Sequence, residues 1–228
     1  MSGPPGPSLR TALVEACREM SRLGLNRGTS GNAAVRAPGG LLVTPSGLAP
    51  ERTTPDDLVL LDPEGRVLEG RREPSSEWRL HARVLAARPD VEAAVHAHPP
   101  YATSLACLRR PIPPFHYMVA VGGGTDIPVA PYATFGTEEL ADHVAAALED
   151  RHACLMANHG LLVLGLDLPD ALARAVEVEA LARQYLQALS VGEPEVLSDE
   201  EMEGVLERFR GYWSRAARAR EGTGAGGG

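Results

Sequence analysis

Apolar residues recur at helical spacing through Leu9, Leu13, Ala16, Cys17, Met20 and Leu23, and Gly24 follows as a left-handed stop, so the chain opens with an amphipathic helix. The period then changes. Asn32 to Arg36 and Leu41 to Thr44 flank Pro38-Gly39-Gly40, and Leu58 to Leu61 and Arg66 to Leu68 flank Asp62-Pro63-Glu64-Gly65, which predicts two β-hairpins. Pro74-Ser75-Ser76-Glu77 opens a helix to about Ala87. It is followed by a strand ending at His96, a short helix near Ala102 to Leu108, and strands near Met118 and Val129. Thr137 to Leu148 reads as a helix and the run ending at His159 as a strand, with Leu161 to Leu164 as its hairpin partner. Pro169 to Ala188 and Ser198 to about Trp213 read as two more helices. Hairpins of this kind make one largely antiparallel sheet, covered by helices, in an α/β domain.

At 228 residues and 44% hydrophobic, the chain can bury one sizeable core, and no Pro/Ser-rich linker divides it. We expect a flexible N-terminus over 1–7, one domain over 8–214, and a disordered tail over 215–228, where Gly and Arg prevail. Apolar stretches are too short to span a bilayer and the N-terminus lacks a signal-peptide apolar region, so a cytoplasmic protein without membrane contact is expected. A net charge of -8, with arginines scattered among acids, lacks the basic stripe that nucleic acid requires. Cys17, Cys107 and Cys154 are too few and too far apart for a disulfide framework or a cysteine zinc cluster. They read as buried or idle thiols.

The chemistry concentrates in two places. Val91-Glu92-Ala93-Ala94-Val95-His96-Ala97-His98 ends an apolar strand in two imidazoles at i and i+2, which face the same way. Ala153-Cys154-Leu155-Met156-Ala157-Asn158-His159-Gly160 repeats the design, with a glycine placed to turn the chain. His96, His98 and His159 with one carboxylate form a ligand set suited to zinc. Glu77 is the best carboxylate: Ser75 or Ser76 caps its helix, which puts Glu77 in the first turn beside an anion site of serine hydroxyls and N–H groups. Gly28-Thr29-Ser30-Gly31-Asn32 and Thr44-Pro45-Ser46-Gly47 add glycine and hydroxyl loops, each an anion nest or an ordinary turn. All 22 basic residues are arginine. Without lysine there is no Schiff base and no P-loop lysine, so electrophilic catalysis falls to a metal ion. His81, four residues past Glu77 on the same helix face, could pair with it on a metal but reads rather as a structural hydrogen-bond partner, and His143 and His152 read as solvated.

Gly31-Asn32, Thr44-Pro45-Ser46-Gly47, Pro74-Ser75-Ser76-Glu77-Trp78, His96-Ala97-His98, His116-Tyr117-Met118, Pro131-Tyr132-Ala133-Thr134-Phe135-Gly136 and Asn158-His159-Gly160 occur in the order found in the class II aldolase/adducin head family, which the chain resembles over about residues 8 to 213. The resemblance implies a single-domain three-layer α/β/α sandwich, a homotetramer with active sites at subunit interfaces, and one zinc ion per subunit. By residue it implies His96, His98 and His159 as zinc ligands, with Glu77 as acid/base and as a further ligand when substrate is absent. Gly31, Asn32, Ser46, Gly47, Ser75 and Ser76 match phosphate-binding positions. Tyr117, Phe135 and Tyr212 match residues that handle the aldehyde half, some from a neighbouring subunit, with Tyr117 as a proton donor. The implied reaction is reversible aldol cleavage of a ketose 1-phosphate of the L-fuculose type, giving dihydroxyacetone phosphate and an aldehyde such as L-lactaldehyde. An L-ribulose-5-phosphate 4-epimerase or another sugar-phosphate lyase of the same family is the alternative, and a non-catalytic adducin-like interaction domain a more distant one. The segments around Tyr117 and Tyr212 speak against the first and the intact His and Glu set against the second.

Overall fold

The first helix, α1 (Pro7–Arg22), turns Leu13, Val14, Cys17 and Met20 inward as its spacing predicts. The computed structural model describes residues 7–224, with side chains described for 9–211; residues 1–6 and 225–228 and the side chain of Tyr212 lie outside the described residues. Both hairpins form, as β1 (Asn32–Ala37) with β2 (Gly40–Val43) and β3 (Val59–Leu61) with β4 (Val67–Glu69). Then come α2 (Trp78–Ala87), β5 (Ala93–Ala97), α3 (Pro100–Cys107) and the short β6 (Val129–Ala130). The chain continues through α4 (Glu138–Ala147), β7 (Ala153–Met156), β8 (Gly160–Gly165), α5 (Leu168–Leu189) and α6 (Asp199–Gly224). The sheet order is β4-β3-β2-β1-β5-β8-β7-β6, and among the described residues the one parallel pair is β6 with β7.

Alternation along the strands divides the core into two layers. Ala93, Val95 and Ala97 of β5 join Leu161 and Val163 of β8 in packing against α1, α3 and α5. Ala94 of β5 joins Cys154, Met156, Leu162 and Leu164 against α2 and α4. This is the expected α/β/α sandwich, and because β5 is buried on both faces it reads as a nearly continuous apolar run. The same alternation puts His96 on the α2 side. Strands β5 and β7 both pair antiparallel with β8, so they run the same way and end together, although β8 lies between them.

Three expectations are corrected. The segment around Met118 is a 3₁₀ helix over Tyr117–Gly122, not a strand; His116 Nδ1 accepts from the Met118 N–H, and the buried Arg174 of α5 donates to the Val121 carbonyl. Val119, Ala120 and Val121 are all buried, and an apolar run of that kind carries no period by which to tell helix from strand. The last helix ends at Gly224, not near Trp213, because Ala216, Ala217 and Ala219 with flanking Arg and Glu are strong helix formers; the expected tail is helical to that point. His143 and His152 are half-buried and not solvated. His152 packs against Arg88, whose guanidinium lies 3.4 Å from its Nδ1, and burial pulls it down to about 4. Of the cysteines, Cys17 and Cys154 are buried and Cys107 is exposed. Among the described residues no helix is long and apolar enough to cross a membrane.

Candidate metal centre and substrate cleft

Register explains why the site assembles. Asn32 of β1 lies directly across from His96 of β5, and Leu162 of β8 lies across on the other side, so the strand ends of the central sheet converge here. His98 follows one residue after β5. Its backbone N–H donates to Asn26 Oδ1 at 3.0 Å, and the Glu179 carboxylate of α5 accepts from the N–H groups of Tyr101 and Ala102 at the start of α3, which fixes the turn that carries it. His159 sits in the β7–β8 turn. The residue that turns the chain there is Asn158, at φ 54, and not Gly160. Gly160 serves close approach instead: a Cβ there would lie 2.5 Å from the Ala97 carbonyl oxygen and 2.6 Å from the His98 ring.

The three imidazoles converge. Ring centroids of His96 and His98 are 4.6 Å apart, His96 and His159 4.8 Å, and His98 and His159 5.2 Å. One ring nitrogen from each falls within 4.8 Å of the others. Glu77 joins them from the start of α2, with Oε2 at 3.1 Å from His96 Nε2 and Oε1 at 3.3 Å from His159 Nε2. It is the N-cap residue, one position before the first turn, and no serine caps the helix; Ser75 Oγ accepts from the Glu77 N–H instead. Among the described residues, Glu77 Oε1, His96 Nε2 and His98 Nε2 are buried without a hydrogen-bond partner. Four convergent ligand atoms, three of them buried and unsatisfied, fit a metal ion, since an interior without one rarely leaves such atoms orphaned. His96 Nδ1 donates to the Leu161 carbonyl at 2.9 Å, which leaves Nε2 as the unprotonated nitrogen facing the cluster.

Electrostatics follow from burial and crowding. Burial alone would raise the Glu77 carboxyl, but His96, His159 and the Asn32 amide overcome it and hold Glu77 well below the usual carboxylate range. Burial disfavours charge on His96, yet the adjacent Glu77 carboxylate outweighs it and raises that imidazole. His98 and His159 are pulled down to about 4, first by burial and then by the neighbouring imidazoles. His81, wholly buried, is pulled down to about 3 by burial. Four histidines are therefore lowered and one raised. A group with a depressed folded pKa contributes stability that is present above the ordinary value of 6.5 and is lost as pH falls below it. The metal-free protein is expected to show a lower urea midpoint at about pH 5 than at about pH 7.5. An unchanged or higher midpoint at the acidic pH would show that these imidazoles are not held neutral.

A cleft of about 240 Å³ opens beside the imidazoles, lined by Thr29, Ser30, Gly31, Asn32, Pro45, Ser46, Gly47, Ser75, Ser76, Glu77, His98, Phe135 and His159. It therefore gathers all three loops singled out in the sequence. Gly31 has φ 74, and a Cβ on it would overlap the Asn26 amide, so only glycine fits that corner. Two N–H groups tie loops together and do not face the cleft: Ser46 donates to the Glu73 carbonyl and Ser75 to the Thr44 carbonyl, both at 2.9 Å. Asn32 is turned inward. Its Nδ2 donates to Glu77 Oε2 at 3.0 Å and its Oδ1 accepts from His81 Nε2. His81 is thus the structural hydrogen-bond partner expected, and not the second half of a helical metal pair. Phe135 lines the cleft, but Tyr117 does not: it lies with Met118, Val205, Arg208 and Phe209 along a separate apolar groove against α6. Asn26 and Glu179, which set the His98 turn, carried no signal in the sequence beyond being polar residues outside the motifs.

The family described as Class II Aldolase and Adducin N-terminal domain matches residues 11–186. A 5-methylthioribulose-1-phosphate/5-deoxyribulose-1-phosphate aldolase of Rhodospirillum rubrum is 54% identical over 92% of this chain and 94% of its own length. An L-fuculose phosphate aldolase of Escherichia coli (strain K12) is 48% identical over 91% of this chain and 96% of its own. A solved structure of an L-fuculose 1-phosphate aldolase superposes with a TM-score of 0.89 at 42% identity, covering 92% of this chain and all of that one. With the fold, the imidazole cluster and these relatives in agreement, the chain belongs to the class II aldolase and adducin N-terminal domain family, as an aldehyde-lyase.

Proposed function

We propose that the protein catalyses zinc-dependent, reversible aldol cleavage of a ketose 1-phosphate of the L-fuculose 1-phosphate type, giving dihydroxyacetone phosphate and an aldehyde such as L-lactaldehyde. The observation that carries this reading is the convergence of His96, His98, His159 and Glu77 at one end of a cleft whose other walls are glycine and serine loops. A zinc ion held by the three imidazoles supplies Lewis-acid polarisation of the substrate carbonyl. The phosphate is held by the Ser46, Ser75 and Ser76 hydroxyls and the N–H groups of Gly47 and Ser76, with Gly31 and Asn32 closing the corner. Glu77 moves the proton at the carbon next to the carbonyl, and Tyr117 protonates the aldehyde oxygen in the condensation direction. Phe135 shapes the aldehyde end, together with Tyr212. Tyr117 is half exposed and lines a groove separate from the imidazole cleft, which supports a homotetramer in which it serves a neighbouring subunit's cleft. We place this activity in the cytoplasm, in the domain spanning 8–214.

A second reading is favoured by the 54% identical relative: a 5-deoxy- or 5-methylthioribulose 1-phosphate as the preferred substrate. The shared dihydroxyacetone phosphate half makes the same demands on the site, and the two readings part at the aldehyde. Zinc-loaded protein offered each ketose 1-phosphate and L-ribulose 5-phosphate should release dihydroxyacetone phosphate from the ketose 1-phosphates and leave the 5-phosphate unepimerised. L-Lactaldehyde should be the carbonyl product from L-fuculose 1-phosphate. A kcat/KM about tenfold higher for a 5-substituted ribulose 1-phosphate would select the second reading, and no dihydroxyacetone phosphate from any of them would sink both.

A further inference from the structure

One buried polar group in the site has no task in the proposed chemistry. His81 lies one turn along α2 from Glu77, is fully buried, and points its Nε2 at Asn32 Oδ1. The Asn32 amide in turn gives its Nδ2 hydrogen to Glu77 Oε2, the carboxylate oxygen beside His96. An amide has two unlike ends. The carboxylate demands the N–H end, so the carbonyl end must face a donor, and His81 Nε2–H is that donor. His81 Nδ1 is buried with no hydrogen-bond partner among the described residues, so the tautomer with its proton on Nε2 leaves the ring's N–H paired. Burial disfavours the charged form of the ring.

We propose that His81 is a positioning residue for Glu77: by donating to Asn32 it prevents the amide from flipping and keeps the carboxylate oriented between His96 and His159. This rests on the function proposed above, in which Glu77 moves the proton. Without a donor at position 81 the Asn32 amide can turn its oxygen toward the carboxylate, where two acceptors repel, and Glu77 loses its fixed orientation. Substrate still enters by its phosphate, so the loss falls on turnover.

The test compares His81→Leu, which removes the donor, with His81→Gln, whose amide N–H restores one. On full-length zinc-loaded protein, His81→Leu is expected to lower kcat about 10- to 100-fold with KM changed less than about threefold, and His81→Gln to recover most of that loss. Cobalt-substituted protein without substrate gives a readout independent of turnover: the visible bands that report carboxylate ligation should shift in His81→Leu and return in His81→Gln. Should His81→Leu fail to fold, His81→Met fills the same space without a donor. Equal losses in the Leu (or Met) and Gln variants, or an unchanged kcat and cobalt spectrum in the donor-free variant, would overturn the proposal. Wild-type protein that binds no cobalt and cleaves no ketose 1-phosphate would instead overturn the proposed function, which separates the two failures.

Discussion

Removing divalent metal is expected to abolish aldol cleavage completely, and adding zinc to restore it. The chain has no alternative electrophile: among its 228 residues there is no lysine to form an imine with a ketose. Borohydride added with substrate should accordingly trap no covalent adduct. Removal has a second expected effect, on the protein itself. Without an ion the buried His96 Nε2, His98 Nε2 and Glu77 Oε1 lose the partner that their geometry fits, so the metal-free protein should melt at a lower temperature and regain stability in proportion to the zinc supplied. Chelator-treated protein, verified metal-free, that cleaves substrate at the original rate would refute metal dependence.

The sequence was most legible where one face of an element differs from the other. Helix α1 shows its stripe from Leu13 to Met20, and the hairpins around Gly39 and Gly65 show both alternation and turn chemistry. The doubly buried strands were found differently, through the histidines that end them. Legibility failed where a tertiary partner decides the outcome. The run from Tyr117 to Val121 is apolar throughout, and a cap from His116 and a bond from Arg174 choose its 3₁₀ form. Which loops meet at the site depends on strand order, and the placement of β8 between β5 and β7 is set by pairings distant in sequence.

The ligand atoms follow the same rule. His96 and His98 were readable as a pair because period two is local. Their joining with His159 follows from β5 and β7 ending together, and that of Glu77 from α2 packing beneath β5. The supporting contacts are long-range and were not readable: Asn26 to His98 spans 72 residues and Glu179 to Ala102 spans 77. Asn32 was read by resemblance as a phosphate position, and its inward-facing amide adds a contact with Glu77 that no local pattern encodes. Tyr117 lines a groove that shares no residue with the cleft, which its sequence motif did not indicate.

Glu77→Gln is expected to keep the site assembled and stop the chemistry. The substitution preserves side-chain length and one carbonyl oxygen, which can still accept from Asn32 Nδ2 at the place Oε2 now occupies. His96 keeps its ring bond to the Leu161 carbonyl, and the turns that carry His98 and His159 are built from backbone contacts that do not involve Glu77. Zinc content should therefore stay near normal, and a dihydroxyacetone phosphate mimic such as a phosphorylated hydroxamate should still bind. What disappears is the ionised carboxylate that His96, His159 and Asn32 surround. Exchange of the dihydroxyacetone phosphate proton and cleavage of the ketose should then fall together, by about a hundredfold to ten-thousandfold, the range supplied by a positioned base. A purely structural ligand would give the opposite pattern, with weakened zinc and proton exchange that recovers when zinc is added in excess. A zinc-loaded Glu77→Gln protein that exchanges the substrate proton at close to the wild-type rate would remove Glu77 as the base and direct attention to another polar group within reach of His96, His98 and His159.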